Sequence, residues 1–148
     1  MVRVFAMDCE RVQINEYESR LHRVTVVDEK CSCVMDRHIK PVPDTRHPSC
    51  RRQYSWAEPV EKVVLALKKI IKEEDVLVGF DVQKDLHDMG MFHSNVRDMA
   101  PYNALLESGL KESLMDLAFQ ELRYPNPGLH DSRYFSAAAM NIYQKYSF

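Results

Sequence analysis

The most chemically suggestive residues of this chain are two carboxylates near its start. Asp8 and Glu10 follow a largely apolar segment, residues 2–7, which is typical of a buried strand. Alternate side chains of a strand share a face, so both carboxylates should point the same way where the strand ends. Two carboxylates there would repel each other and lose hydration, and a divalent cation would relieve both costs because hard cations prefer oxygen ligands. The spacing therefore indicates a candidate metal site.

Composition describes an ordinary globular domain. The 148 residues are 45% hydrophobic and 28% charged with a net charge of −2, so we expect one domain over residues 1–148 and no global basic field. No apolar run is long enough to span a bilayer, and the first residues lack the apolar core of a signal peptide. We therefore expect an intracellular protein, nuclear or cytoplasmic, with no membrane partner and with its four cysteines reduced.

The apolar pattern predicts an α/β domain with a mixed sheet. Three strands come first and should form an antiparallel meander, and helices then alternate with further strands. A proline-rich loop over residues 41–56 separates the two parts. The predicted strands cover residues 2–8, 21–28, 31–40, 75–80 and 94–99, and the predicted helices cover residues 58–72, 82–89, 110–122 and 132–146.

Six segments, in order and at compatible spacing, resemble the DEDDh family of 3′–5′ exonucleases, in particular the RNA exonuclease group of Rex-type and interferon-stimulated enzymes. The resemblance covers nearly the whole chain and implies an RNase H-like exonuclease fold, with helices flanking the mixed sheet. The segments are Asp8-Cys9-Glu10, Arg23 to Asp28, Lys40-Pro41, Val78-Gly79-Phe80 with Lys84-Asp85-Leu86, Arg97-Asp98-Met99, and His130-Asp131-Ser132.

The resemblance implies two-metal hydrolysis of a phosphodiester with Mg²⁺ or Mn²⁺. In family terms, Asp8 bridges both metals, Glu10 helps to hold the first metal, and Asp85 supports the second. His130 acts as the general base on the attacking water. A final Asp, five residues after the His, completes the first metal's shell, and here that position is Phe135.

Phe135 cannot bind a metal, and it suits a packing role. It begins an apolar stripe at helical spacing, which should turn the ring into the protein interior. Asp131 lies one helical turn before Phe135 and is an alternative ligand, although Asp131 or Ser132 is better placed to cap the helix. The other members of the stripe are Ala138, Ala139 and Ile142.

Other departures from the family pattern surround the same site. Bulky or charged residues stand at positions where the family has Met, Gly, Gly and His, and these are Arg11, Gln13, Trp56 and Phe80. If no metal binds, the three acids require raised pKa values, water, or a cation such as Arg11. Asp98 is expected to support the fold or a helix start.

A basic and aromatic loop is the candidate nucleic-acid surface. Arg51 and Arg52, with Tyr54 and Trp56, could contact phosphates and stack on bases, and Arg11 could join them from the cleft. The alternative is a solvated loop with one anchoring Trp. Cys31 and Cys33 could suggest zinc, but two cysteines on one strand face also pack as small hydrophobic residues.

These observations favour a degenerate exonuclease domain that acts as an RNA-binding or protein-interaction module. The alternative is an active 3′–5′ RNA exonuclease that depends on Mg²⁺ or Mn²⁺ and has an altered metal site. A third possibility is a purely structural role. The expected partners are single-stranded RNA, a protein, or a second copy of the chain.

Overall fold

The computed structural model describes residues 2–13, 15–40, 57–99 and 131–146. The predicted loop 41–56 and the predicted helix 110–122 lie outside these residues. No helix in the described part of the chain is both long and apolar enough to cross a membrane. The elements are β1 (Val4–Gln13), β2 (Ser19–Val27), β3 (Cys33–His38), α1 (Val60–Ile70), β4 (Val76–Gly79), α2 (Val82–Asp88), β5 (Val96–Asp98) and α3 (Ser132–Tyr146).

The strands form one mixed five-stranded sheet in the order β3-β2-β1-β4-β5. β2 pairs antiparallel with both β1 and β3, which confirms the predicted meander. β4 runs parallel to β1, and β5 runs parallel to β4. The α/β class, the mixed sheet and its flanking helices are thus confirmed.

Helices cover the two faces of the central strand β1. Phe5 and Met7 belong to one apolar core together with Val63 and Leu67 of α1, whose side chains are fully buried. Ala6, which points to the opposite face, belongs to a second core built on α3. The alternation of β1 thus places its buried apolar residues in one core or the other.

The predicted apolar stripe of α3 is confirmed. The helix spans the predicted residues 132–146, and it packs against β1, β2 and β4. Phe135, Ala138, Ala139 and Ile142 are all buried in the second core.

Several predicted strand boundaries are wrong, and two of them concern candidate residues. β1 continues to Gln13 rather than ending at residue 8, because β2 pairs with it as far as Ser19. β3 begins at Cys33 rather than at Cys31, because Cys31 takes up a left-handed conformation (φ 62°) in the preceding turn. The two thiols therefore do not share a strand face: that of Cys31 lies against α3, 3.6 Å from Asn141 Oδ1, and Cys33 is exposed.

Candidate active site

The candidate site lies where β1 extends beyond the end of its pairing with the parallel strand β4. Pairing between these strands ends at Ala6 and Val78, two residues before Asp8. Asp8 and Glu10 follow Ala6 on the face that α3 covers, and Asp8 is buried while Glu10 is partly buried. The predicted common orientation of the two carboxylates follows from this alternation.

Two devices hold α2, which carries Asp85, at this position. Gly79 ends β4, and a Cβ atom there would come within 2.7 Å of both the Met7 carbonyl oxygen and Val82 Cβ, so only glycine fits. The carboxylate of Asp98, on β5, accepts hydrogen bonds from the backbone N–H groups of Asp81 (2.7 Å) and Gln83 (3.1 Å). Asp98 therefore caps the start of α2, in agreement with the supporting role predicted for it.

Glu10 is held by a cation and by a helix start. Arg23 is its direct partner across the β1–β2 pair, and Arg23 Nη1 donates to Glu10 Oε2 at 2.7 Å. The Ser132 hydroxyl donates to the same oxygen at 2.9 Å, and the Ser132 N–H does so at 3.4 Å. The Ser132 and Thr25 hydroxyl oxygens lie 2.7 Å apart. Sequence reasoning missed Arg23 as a site residue.

Arg23 also binds Asp36 on β3. Its Nε and Nη2 atoms donate to the two carboxylate oxygens of Asp36, each at 2.8 Å, which is the bidentate geometry favoured by guanidinium groups. The hydrogen bond from Arg23 lowers the pKa of Asp36 and raises the pKa of Arg23 itself. One guanidinium, on β2, thus connects Glu10 of β1 with Asp36 of the edge strand β3.

Arg11 supplies the cation for Asp85. The register of β1 and β2 shifts between Glu10 and Arg11, and such a bulge redirects a side chain. Arg11 Nη2 donates to Asp85 Oδ1 at 2.8 Å, and Nη1 lies 2.7 Å from Asp88 Oδ2. This agrees with the prediction that Arg11 can balance the acids. Asp88 meets the same guanidinium because it lies at the end of α2, three residues after Asp85.

Asp85 retains an unusual protonation equilibrium despite this ion pair. Burial raises the pKa of Asp85 to about 7, and the negative charges of Asp8 and Asp81 act in the same direction. The hydrogen bond and the positive charge of Arg11 oppose this change. Asp85 and Asp8 therefore lie close enough to repel each other, and one guanidinium compensates only in part.

Phe135 is buried in the second core, with 3% of its surface exposed. The ring packs edge-to-face on Tyr134, with 5.2 Å between ring centroids. Asp131 Oδ1 accepts a hydrogen bond from the Arg133 N–H at 2.9 Å, and the Asp131 carbonyl oxygen accepts one from the Phe135 N–H. Asp131 is therefore the cap of α3, one of the two caps predicted, and its Oδ1 also lies 3.6 Å from Arg23 Nη1.

Comparison with known proteins adds sequence relatives. RNA exonuclease 4 of Gibberella zeae is 28% identical over 154 residues, a match that covers 95% of this chain and 48% of that protein. RNA exonuclease 4 of Homo sapiens is 28% identical over 165 residues, with 97% and 37% covered. An uncharacterized exonuclease of Schizosaccharomyces pombe is 32% identical over 132 residues, with 82% and 20% covered. The chain thus spans less than half the length of these relatives. No protein-family model matches it.

Solved structures share the fold. The catalytic unit of Neurospora crassa Pan2, with its protease and nuclease domains, superposes with a TM-score of 0.76 at 18% identity, over 98% of this chain and 27% of that one. The Saccharomyces cerevisiae Pan2 module in complex with AAGGA RNA gives 0.76 at 19% identity, over 98% and 29%. These findings support an exonuclease family for the chain. The RNase H-like exonuclease fold is confirmed.

An exonuclease family implies dependence on divalent metal ions in general, and the donor set tests whether this chain fits one. Glu10 accepts from Arg23, Asp85 accepts from Arg11, and the position predicted for the last acid holds a buried Phe ring. Among the described residues, no three His, Cys, Asp or Glu side chains are grouped so as to hold a metal ion. The arrangement does not fit a two-metal centre as it stands.

Five predicted site residues lie outside the described residues. They are His130, Arg51, Arg52, Tyr54 and Trp56. Their roles, and those of Asp8, Glu10, Asp85 and Arg11 toward RNA or metal, remain predictions.

Proposed function

We propose that residues 1–148 form a catalytically silent exonuclease domain that binds single-stranded RNA without cutting it, in the nucleus or the cytoplasm. The observation that carries this proposal is the ion pair between Arg11 and Asp85 at 2.8 Å. It puts a fixed guanidinium on a carboxylate that the family uses for a metal. Phe135 removes a second ligand, and two-metal hydrolysis requires both ions in fixed geometry.

RNA is the favoured ligand because the sequence relatives are named RNA exonucleases and a neighbour of the same fold was solved with RNA. The candidate active site itself is a poor phosphate site, because its carboxylates outnumber its two guanidinium groups, those of Arg11 and Arg23. These carboxylates belong to Glu10, Asp36, Asp85 and Asp88. Without metal ions, those carboxylates repel a phosphate backbone. Affinity must then come from cations outside the cluster, and Arg51 and Arg52 are the candidates.

The direct test of silence is digestion of a 5′-labelled single-stranded RNA with Mg²⁺ and with Mn²⁺. The proposal predicts that the RNA stays at full length under both conditions. Stepwise shortening that disappears in Asp8→Ala would overturn it and would establish the alternative, an active metal-dependent exonuclease.

The test of RNA binding compares two pairs of basic residues. Arg51→Ala with Arg52→Ala should weaken binding about tenfold at low salt and reduce the salt slope by roughly 1.4, because each phosphate contact on a single strand contributes about 0.7. The control, Lys68→Ala with Lys69→Ala in the last turn of α1, should have little effect. If wild type shows no RNA binding at low salt, the RNA-binding proposal is overturned and a protein-interaction module becomes the leading alternative.

The direction in which one substitution changes RNA affinity distinguishes the silent domain from an active metal-dependent exonuclease. Asp85→Asn removes a repelling carboxylate, so RNA affinity in Mg²⁺ should stay equal or rise. In an active metal site the same change would remove a ligand, and affinity in Mg²⁺ would fall.

A further inference from the structure

The outward face of α1 carries an exposed leucine, Leu65, with lysines around it. Residues three and four positions away along a helix are neighbours on its surface. Around Leu65, three of these four positions hold lysines and the fourth holds an acid. The four residues are Lys62, Lys68, Lys69 and Glu61. All five side chains are exposed, that of Leu65 with 61% of the residue's surface accessible. We call these five residues the α1 outer face.

The lysines of the α1 outer face form no ion pair within the part of the chain that the structure describes. A solvated helix face is usually stabilised by Glu–Lys pairs three or four residues apart. No lysine of α1 has an acid at that spacing within the helix, because the residue four positions after Glu61 is Leu65. The chain's arginines behave differently, since five of them are paired with acids: Arg3, Arg11, Arg20, Arg23 and Arg37.

The helix dipole explains only part of this charge pattern. Lys68 and Lys69 lie in the last turn of α1, where a cation is favourable. Lys62 lies in the first turn, where the dipole disfavours a cation. It is about 10 Å along the helix axis from Lys69, at a rise of about 1.5 Å per residue. The face thus presents positive charge on both sides of Leu65, in a chain whose net charge is −2.

We propose that the α1 outer face binds an acidic segment of a partner protein. An apolar side chain of that segment packs on Leu65, and carboxylates on either side of it meet Lys62 and Lys69. A helix with two acids seven residues apart and an apolar residue midway has the matching spacing. The apolar contact lies at the centre and the ion pairs surround it, which is the usual arrangement of a protein interface.

A protein segment suits this face better than RNA does. Leu65 has no ring on which a base could stack, and it loses exposed apolar surface most effectively against another apolar side chain. α1 has lysines but no arginine, the residue whose planar fork matches phosphate best. α1 also packs on the sheet face opposite to the one that carries Asp8 and Glu10. A partner on α1 therefore leaves the candidate active site open, and the inference does not depend on RNA binding.

The experiment is fluorescence anisotropy at low salt with a labelled helical peptide that carries two glutamates seven residues apart and a leucine midway. Wild type should bind the peptide, and Lys62→Gln with Lys69→Gln should weaken binding about fivefold, since exposed ion pairs contribute modestly. The matched control, Lys30→Gln with Lys84→Gln, removes the same charge from exposed lysines outside α1 and should leave binding unchanged. Thermal melts should show that both double variants stay folded, because all four side chains are exposed.

A second peptide, with alanine in place of the midway leucine, tests the apolar contact. Leu65→Ala should weaken binding of the leucine peptide and leave binding of the alanine peptide nearly unchanged. The proposal is overturned if wild type binds neither peptide, if the two double variants weaken binding equally, or if Leu65→Ala affects both peptides alike. Single-stranded RNA is the competing ligand. If Lys62→Gln with Lys69→Gln weakens RNA binding as much as peptide binding, the face binds RNA and the protein partner is ruled out.

Discussion

The two ends of the central strands hold carboxylates in opposite ways. At the amino-terminal end, Asp75 receives two bonds from the Arg3 side chain, of which the Nη2 bond is 2.7 Å, and one bond from each of the Arg3 and Lys72 backbone N–H groups. We call this pair the amino-terminal clamp. At the carboxyl-terminal end, Arg11 and Arg23 are shared among more carboxylates than two positive charges can neutralise. We call the two arginines and the acids around them the acidic cluster; the acids are Asp8, Glu10, Asp36, Asp85 and Asp88.

The pKa values of Asp75 and Asp85 are changed in opposite directions. Burial would raise the pKa of Asp75, but the bonds from Arg3 and Lys72 outweigh it and leave the pKa below its usual value. Burial raises the pKa of Asp85 to about 7 even beside Arg11. The clamp is therefore complete with the chain's own donors. The acidic cluster holds more carboxylates than guanidinium groups among its own residues.

The largest effect should come from Phe135→Asp. Loss of the buried ring should cost about 3–5 kcal/mol of unfolding free energy in the absence of metal. The new carboxylate joins the acidic cluster, so Mn²⁺ should raise the melting temperature of this variant more than that of wild type. Phe135→Asn is the control, because it loses the ring without adding a charge. If Mn²⁺ stabilises both variants equally, Phe135 does not face the cluster.

The same substitution, Asp to Asn, should change the unfolding free energy by different amounts at the two ends of the strands. Asp75→Asn should cost about 3 kcal/mol, since the amide must turn a donor toward Arg3 or Lys72 in a buried position. Asp85→Asn should stay within about 1 kcal/mol of wild type at pH 7, because it relieves repulsion while Arg11 keeps Asp88. Urea unfolding measures both. A loss at Asp85 as large as that at Asp75 would remove the distinction between the two ends.

The pH dependence of stability should have opposite signs at the two sites. The folded-state pKa of Asp85 is raised from about 4 to about 7, so its contribution is complete below about pH 4 and is lost as the pH rises through 7. The folded-state pKa of Asp75 is lowered, so its contribution is present above about pH 4 and is lost on acidification. Unfolding free energies at stepped pH should show Asp85→Asn removing the first dependence and Asp75→Asn the second. A wild-type profile unchanged by Asp85→Asn between pH 4 and 7 would contradict this.

Local pattern was enough to predict the parts of the site that depend on one element. The spacing of Asp8 and Glu10 gave their shared face, and the stripe that starts at Phe135 gave the buried ring. Pairings between distant segments were missed because they depend on register. Arg23 faces Glu10 only because of the β1–β2 pairing, and nothing in either segment alone fixes that alignment.

Two further features were missed, namely the direction of the Arg11 side chain and the residue at which β3 begins. Arg11 was recognised as a possible counter-ion, but the bulge that aims it at both Asp85 and Asp88 has no local signal in the sequence. The left-handed turn at Cys31 was missed because the β-like pattern continues through it.

The central claim is that Arg11, rather than a metal ion, balances Asp85, and a calorimetric Mn²⁺ titration tests it most directly. Wild type should bind Mn²⁺ no more tightly than about 1 mM, equivalent to roughly 4 kcal/mol. Arg11→Met, which restores the residue typical of the family, should bind at least tenfold more tightly because it frees Asp85 and Asp88. Arg3→Met in the clamp should gain nothing, since only one carboxylate is freed there. Micromolar Mn²⁺ binding by wild type that Asp8→Ala abolishes would contradict the account.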